Sequence, residues 1–491
     1  MNQEHSPHET AIKPKKRKWL KRLIITLSAI VGLFILGIGV VLFLSRDYLV
    51  WNNSPRPEVA PITFNAADMT GYGADALYLV QMIERTHPIF IVEGYLPDDY
   101  AARRDEFLTV AQNTTSRQEF VFAAYRYVMT LQDGHMTGFN LFGRGGMTGG
   151  HLDVRWEVRD DRLWLIDDNG RTDIEVIEIG GVSPVQVFAV VDTYVFAENE
   201  VYRVWNHAMY AGYGAMIELA GGEILGDRAT LTISENGEIS TMEVELEVLE
   251  ARTEPFSMSE IAAAYPFVVR HEILDDDIFL IDLRIFYLDD SINETARYIE
   301  QAIEDGIREF IVDLRGNGGG NSMAGQRLLE AMGITVPSSG VVRRFSPLMI
   351  EIGTEHGLIS PLERVLLPIA SAFSDGLIGP PTTDNAANPN DVFVIVLTDN
   401  NSYSSATMMA YWIPDGNLGK IIGAPSRNAP SAFGDMLTFN LPDSGLETRV
   451  SHAQFLRPDA AADQSTLWPD IMVDPAEALE VALEYLRSRA N

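Results

Sequence analysis

From residue 23 to residue 44 the chain carries 22 residues without a charged side chain. No other feature limits the fold so strongly. At about 1.5 Å per residue a helix of that length covers roughly the 30 Å hydrocarbon core of a bilayer. The run exceeds the roughly 7–15 apolar residues of a cleaved signal, and no small-x-small site follows it. It predicts one transmembrane helix. Lys13, Lys15, Lys16, Arg17, Lys18, Lys21 and Arg22 precede it, whereas only Arg46 follows closely. Positive charge stays inside, so residues 1–22 are expected to be cytoplasmic and the bulk of the chain exported. Such a basic stub also suits anionic lipid.

Beyond the span, 30 Lys and Arg face 67 Asp and Glu, a net charge of about −37. A field of that sign repels nucleic acid and favours solubility. The chain has no cysteine, which excludes disulfides, thiol nucleophiles and thiolate metal sites. An exported body without disulfides must hold together through its cores.

Residues 45–70, with Asn52, Asn53, Pro55, Pro57 and Pro61, read as a tether. Residues 71–140 are helical in pattern. Ala76, Leu79, Met82 and Ile83 form one apolar stripe, and Phe120, Ala123, Ala124, Tyr127 and Val128 another. Ser116 with Glu119 has the spacing of a capping box. Residues 150–255 are β-rich: Ile174, Val176, Leu231 and Ile233 belong to short alternating runs, and Asn236-Gly237 signals a hairpin. From 260 to 491 strands alternate with helices. Strands are expected over 279–286, 310–314 and 392–397. Ile292, Ala296, Ile299 and Ile303 lie on one helical face, so this part predicts an α/β layer with a largely parallel sheet. Asp474, Pro475 and Glu477 predict the start of the last helix.

Three segments could carry chemistry. Asp133-Gly134-His135 ends a helical stretch. Asp313-Leu314-Arg315-Gly316-Asn317-Gly318-Gly319-Gly320-Asn321 follows a strand, and a helix is expected from Ser322. Ser402-Tyr403-Ser404-Ser405 lies between a strand and a helix. A glycine run after a strand can be a plain turn, but bare amides ahead of a helix also suit an oxyanion. A nucleotide fits poorly, because no Gly-Lys-Ser/Thr follows and Asn321 stands where a dinucleotide fingerprint needs glycine. Any of the three serines could cap the helix. A serine at a helix N-terminus is also where acyl-transfer enzymes place their nucleophile. Its base would be a histidine, with His135 best placed by motif and His452 the alternative.

Together these segments resemble the tail-specific (C-terminal processing) and tricorn-core serine peptidases. The resemblance takes in Thr86-His87-Pro88, Asp133-Gly134-His135, the Asp-Leu-Arg-Gly-Asn loop, the serine segment, Gly423, Gly434 and Trp468-Pro469-Asp470-Ile471. It implies an α/β, crotonase-like (ClpP/crotonase) catalytic domain behind a helical part and a small β-rich, PDZ-like domain. It implies Ser404 as nucleophile, His135 as base and Asp463 as the late acidic residue that orients the apparatus. The oxyanion donors would be the amides of Gly319, Gly320 and Ser405. It implies a polypeptide substrate and neither metal nor organic cofactor. The chain departs from the tail-specific pattern: no lysine follows Gly423 in Ala424-Pro425-Ser426-Arg427-Asn428-Ala429, and Thr407 replaces the usual glutamate. It also departs from the tricorn-like pattern in having Gly134 where a serine precedes the histidine. These changes leave open a catalytically inactive surface protein on the same fold, binding peptides or apolar ligands.

Overall fold

The computed structural model describes residues 21–29, 32, 37, 49–51, 57–92, 96–142, 150–168, 170–247, 258–275, 277–355 and 359–489. The chain divides into two units, residues 1–49 and residues 50–491. In the first, residues 21–29 are helical, and most of the expected membrane span lies outside the described residues. Among the described residues no helix is long and apolar enough to cross a membrane.

At the centre of the second unit is a six-stranded sheet. Its order is Ile471–Met472, Gly419–Gly423, Phe393–Thr398, Glu309–Asp313, Ile278–Leu283 and Val269–Leu274. The first five run parallel, and Val269–Leu274 is antiparallel to its neighbour. Side chains alternate across a strand, and here the two faces bury separate sets. Phe279, Ile281, Phe310, Val312, Val394 and Val396 meet helices Asp290–Glu304, Met323–Ala331 and Ser405–Asp415. Ile278, Leu280, Ile311, Ile395 and Leu397 meet helix Ala478–Arg489. Covering both faces is what a parallel sheet requires, and it explains the near-continuous apolar runs.

Inserted into this α/β part is an antiparallel array of Gly340–Arg344, Ser374–Gly379, Glu447–Leu456 and Ala432–Asn440. Its Phe433, Leu437 and Val450 share one core with the N-terminal helices and with Leu163, Val176 and Leu231 of the middle sheet. Helices Tyr72–Thr86, Tyr100–Asn113 and Arg117–Val128 follow the two apolar stripes. Buried Asp75 accepts from the amides of Asp443 and Ser444 at 2.8 and 2.9 Å. It pins the first helix to the turn between strands Ala432–Asn440 and Glu447–Leu456. The helical part therefore does not stand alone.

The middle part is an antiparallel six-stranded sheet in the order His151–Leu152, Glu238–Glu247, Arg228–Glu235, Gly170–Ile179, Arg162–Asp167 and Trp156–Arg159. Asn236 and Gly237, at φ 50° and 85°, make the expected tight hairpin. Helices Pro184–Tyr194, Glu200–Tyr210 and Gly214–Leu219 accompany the sheet, so this part is mixed rather than purely β.

Three local expectations need correction. Ser116 caps Glu119 N, but Glu119 turns its carboxylate to Thr114 Oγ1 at 2.5 Å, so the box is half closed. The strand expected over 279–286 ends at Leu283, after which Phe286 bridges Gly320. The last helix begins at Ala478 rather than beside Asp474. Asp474 instead caps Ala476 N and holds Arg171 at 3.1 Å.

Ile311 is fully buried between the parallel sheet and the last helix. Ile311→Ala should therefore lower unfolding free energy by about 2–5 kcal/mol, read from urea denaturation.

Candidate active site

Strands Glu309–Asp313 and Phe393–Thr398 are parallel neighbours in register, with Asp313 opposite Leu397. Their C-terminal ends deliver the glycine loop and the serine segment side by side, where open α/β sheets place ligands. Asn317, fully buried, joins the parts. Its Nδ2 donates to Leu283 O at 2.7 Å, its Oδ1 accepts from Gly319 N at 2.8 Å, and its carbonyl accepts from Tyr403 N at 3.0 Å. Asp399 Oδ1 accepts from the amides of Gly316, Asn401 and Ser402.

The three serines have different surroundings. Ser402 is fully buried, and its Oγ donates to Leu314 O at 2.9 Å; it fastens the loop and does not cap the helix. Ser405 donates to Gly320 O at 2.6 Å. Ser404 stands at the helix N-cap with φ 54° and ψ −119°, and its hydroxyl makes no capping bond. Positive φ is costly for a residue with a Cβ and persists only where its surroundings enforce it. Here Ser404 N donates to Asn428 Oδ1 at 2.9 Å. Gly319 presses against the same turn: a Cβ on it would lie 2.7 Å from Ser404 Cβ and from Tyr403 O, and its φ is 98°.

Of the three expected oxyanion donors, Gly319 N is already committed to Asn317. The amides of Gly320 and Ser405 have no acceptor among the described residues.

His135 comes from the other side. Asp133 Oδ1 accepts its amide at 2.8 Å, and Asp133 Oδ2 meets His87 Nε2 at 3.1 Å with both side chains fully buried. His87 Nδ1 accepts from Ile89 N, which places its ring proton on Nε2, toward Asp133. Burial alone would raise Asp133, but the hydrogen bond and electrostatic attraction of the neighbouring His87 ring outweigh it and hold the carboxyl below its usual range. Burial lowers His135 below the usual imidazole value, with Asp133 opposing and Arg427 assisting; near neutral pH the ring is an uncharged proton acceptor. Its Nδ1 meets Tyr403 Oη at 3.3 Å and the two rings lie 4.8 Å apart. Among the described residues no hydrogen bond joins His135 to Ser404. His452 faces elsewhere, bonded through Nδ1 to Asp435 O.

Two residues that carried no sequence signal, Glu198 and Asn428, complete the arrangement. Glu198 accepts from Asn428 Nδ2 at 2.5 Å, Ala429 N at 2.8 Å and Gly134 N at 3.2 Å. It thus clamps the histidine segment to the residue that holds Ser404. Burial pushes its carboxyl up to about 7, with the charge of Asp133 adding, against the pull of the three donors. A Cβ on Gly134 would sit 2.7 Å from Glu198 Oε1 and 2.8 Å from Tyr202 Cε1. Glycine at this position leaves room for the clamp. Asp463, expected as the late acidic residue that orients the apparatus, accepts from Ser431 Oγ at 2.6 Å. Arg427 lies over Trp205 at 4.1 Å and Tyr403 at 4.7 Å. Asp133, His135 and Glu198 bring potential ligand atoms within 4.8 Å of one another, but the oxygens of both carboxylates already accept hydrogen bonds.

Residues 277–473 match the family model of peptidase family S41. Among solved structures the chain is similar to mature CPAF, at 13% identity and a TM-score of 0.55, over 85% of this chain and 95% of that one. Mature CPAF complexed with lactacystin gives 13% identity and a TM-score of 0.56, over 85% and 97%. The photosystem II D1 C-terminal processing protease matches at 13% identity and a TM-score of 0.41, over 83% and 94%. No curated protein matches the chain significantly.

The Glu198 clamp has a pH signature. Its pKa is raised in the folded state, from about 4.5 to about 7. Its favourable contribution is therefore complete below about pH 4.5 and is lost as pH rises through about 7. The melting temperature of the wild type minus that of Glu198→Gln should fall across this window and level off above it.

Proposed function

We propose that this chain, whose residues 277–473 match the model of peptidase family S41, is a serine endopeptidase whose nucleophile is Ser404 and whose base is His135. One observation supports this above all: Ser404 is held at positive φ at the start of a helix, against Gly319, with its hydroxyl free of any capping bond. Strain of this kind belongs with function when the surroundings over-determine it, and here Asn428 and the glycine loop both do.

In the proposed reaction Ser404 Oγ attacks the peptide carbonyl and passes its proton to His135. The amides of Gly320 and Ser405, at the start of the helix, receive the developing oxyanion. Each such donor typically contributes about 10²–10³ in rate. His135 returns the proton to the leaving amine, and water then releases the acyl group. For this the imidazole turns from Tyr403 toward Ser404. We read the parallel sheet and its covering helices as crotonase-like, and the middle sheet as the counterpart of a PDZ-type peptide-binding module. The proposed place of action is the outer face of a membrane, with residues 23–44 as a single anchor and the basic stub inside; the uncharged run and its flanking charges support this.

A fluorophosphonate probe should label the protein on Ser404, located by mass spectrometry of the tagged peptide. Ser404→Ala should abolish labelling while leaving the melting temperature near that of the wild type. Labelling on Ser402 or Ser405 would contradict the assignment, and a folded wild type that takes no label would contradict the peptidase reading.

The anchor is tested separately. Protease added to intact cells should remove an epitope placed after residue 50 and spare one placed before residue 13; a protected C-terminal epitope would reverse the orientation.

A further inference from the structure

Beside the serine and histidine segments lies a cavity of roughly 350 Å³, bordered by Gln132, Phe196, Glu198, Phe433, Gln454 and Asp463. It adjoins both segments. Ala429, which also borders it, follows the Asn428 that holds Ser404 N. Gly434, next to Phe433, lies against His135, since a Cβ there would be 3.6 Å from His135 Nε2. Resting on the peptidase reading above, we propose that this cavity is a substrate subsite that accepts a lysine or arginine side chain of the polypeptide.

Two independent observations carry the assignment. The first is charge. Glu198 and Asp463 both border the cavity, and among the described residues neither lysine nor arginine lines it. No ion pair among the described residues compensates either carboxylate. Among the described residues Asp463 is engaged only through Oδ2, by Ser431. Asp463 is exposed and Glu198 is held by three neutral donors, so the acidic lining favours a cation by charge attraction rather than by relief of a buried charge. The second is Gln454. It is 7% exposed and lines the cavity, yet no hydrogen bond among the described residues engages its side-chain amide. A polar side chain so buried ordinarily has a partner. An ammonium or guanidinium donating to the Gln454 carbonyl oxygen and to Asp463 would supply one. Phe196 and Phe433 form apolar wall suited to the methylene stem of a basic side chain.

The test uses the full chain with Ser404→Ala, so that peptides bind without turnover, and isothermal titration calorimetry at pH 7.5. Blocked alanine-rich peptides carry lysine, norleucine or glutamate at one position. The lysine peptide should bind at least about tenfold tighter than its norleucine counterpart, and the glutamate peptide weakest. Asp463→Asn, at an exposed position, and Gln454→Leu, each added to Ser404→Ala, should cut the lysine-to-norleucine ratio severalfold. A ratio near one, or a ratio that both added substitutions leave unchanged, overturns the proposal. Wild-type labelling by a fluorophosphonate, run in parallel, separates the two ideas. Lysine preference without labelling keeps the subsite and removes the peptidase reading; labelling without lysine preference does the reverse.

Discussion

The close approach of Gly319 to the turn at Ser404 is the constraint on which the site depends. Nothing larger than a hydrogen fits on Gly319, because a Cβ would collide with Ser404 Cβ and the Tyr403 carbonyl. The approach is possible because two parallel strands end in register and because Asn317 ties the glycine loop both to Leu283 O and to Tyr403 N. Ser404 in turn keeps its unfavourable φ through Asn428. Sheet register, loop closure and the strained Ser404 backbone thus meet in one structure.

Around that contact the charges are arranged by burial rather than by exposed pairs. His87 and Asp133 form a fully buried couple that fixes the backbone of His135 through Asp133 Oδ1. Breaking such a couple leaves an uncompensated buried charge, which is why its members act as a unit. His135 is kept neutral by burial and rests against Tyr403. Arg427 stacks on that tyrosine and on Trp205. The stretch without the lysine of the tail-specific pattern thus supplies Arg427 to this stack and Asn428 to hold Ser404 N.

Much of the fold could be read from periodicity. The alternation that sends Ile311 to one face of the sheet and Phe310 and Val312 to the other follows directly from the strand repeat. The stripes around Leu79 and Phe120 and the Asn236-Gly237 turn are local signals of the same kind. What escaped the sequence was long-range. Glu198 and Asn428 lie 230 positions apart, and neither sits in a motif; the packing of the middle part on the segment after Gly423 brings them together. Glu119 left its cap because Thr114 was within reach. Asp474 serves as a cap one turn before the last helix and as a partner of Arg171, so its start signal was real but displaced. In the same way the motif brought out Gly319 as an oxyanion donor, while the structure gives that amide to Asn317.

The place of the oxyanion in the proposed mechanism is therefore decisive, and a crystal structure of the protein carrying a phosphonate on Ser404 tests it most directly. The phosphonyl oxygen is expected within about 2.7–3.1 Å of both Gly320 N and Ser405 N, with Gly319 N still on Asn317 Oδ1 and the His135 ring turned from Tyr403 to Ser404. A phosphonyl oxygen pointing to solvent, with both amides unengaged and His135 still on Tyr403, would contradict the proposed mechanism.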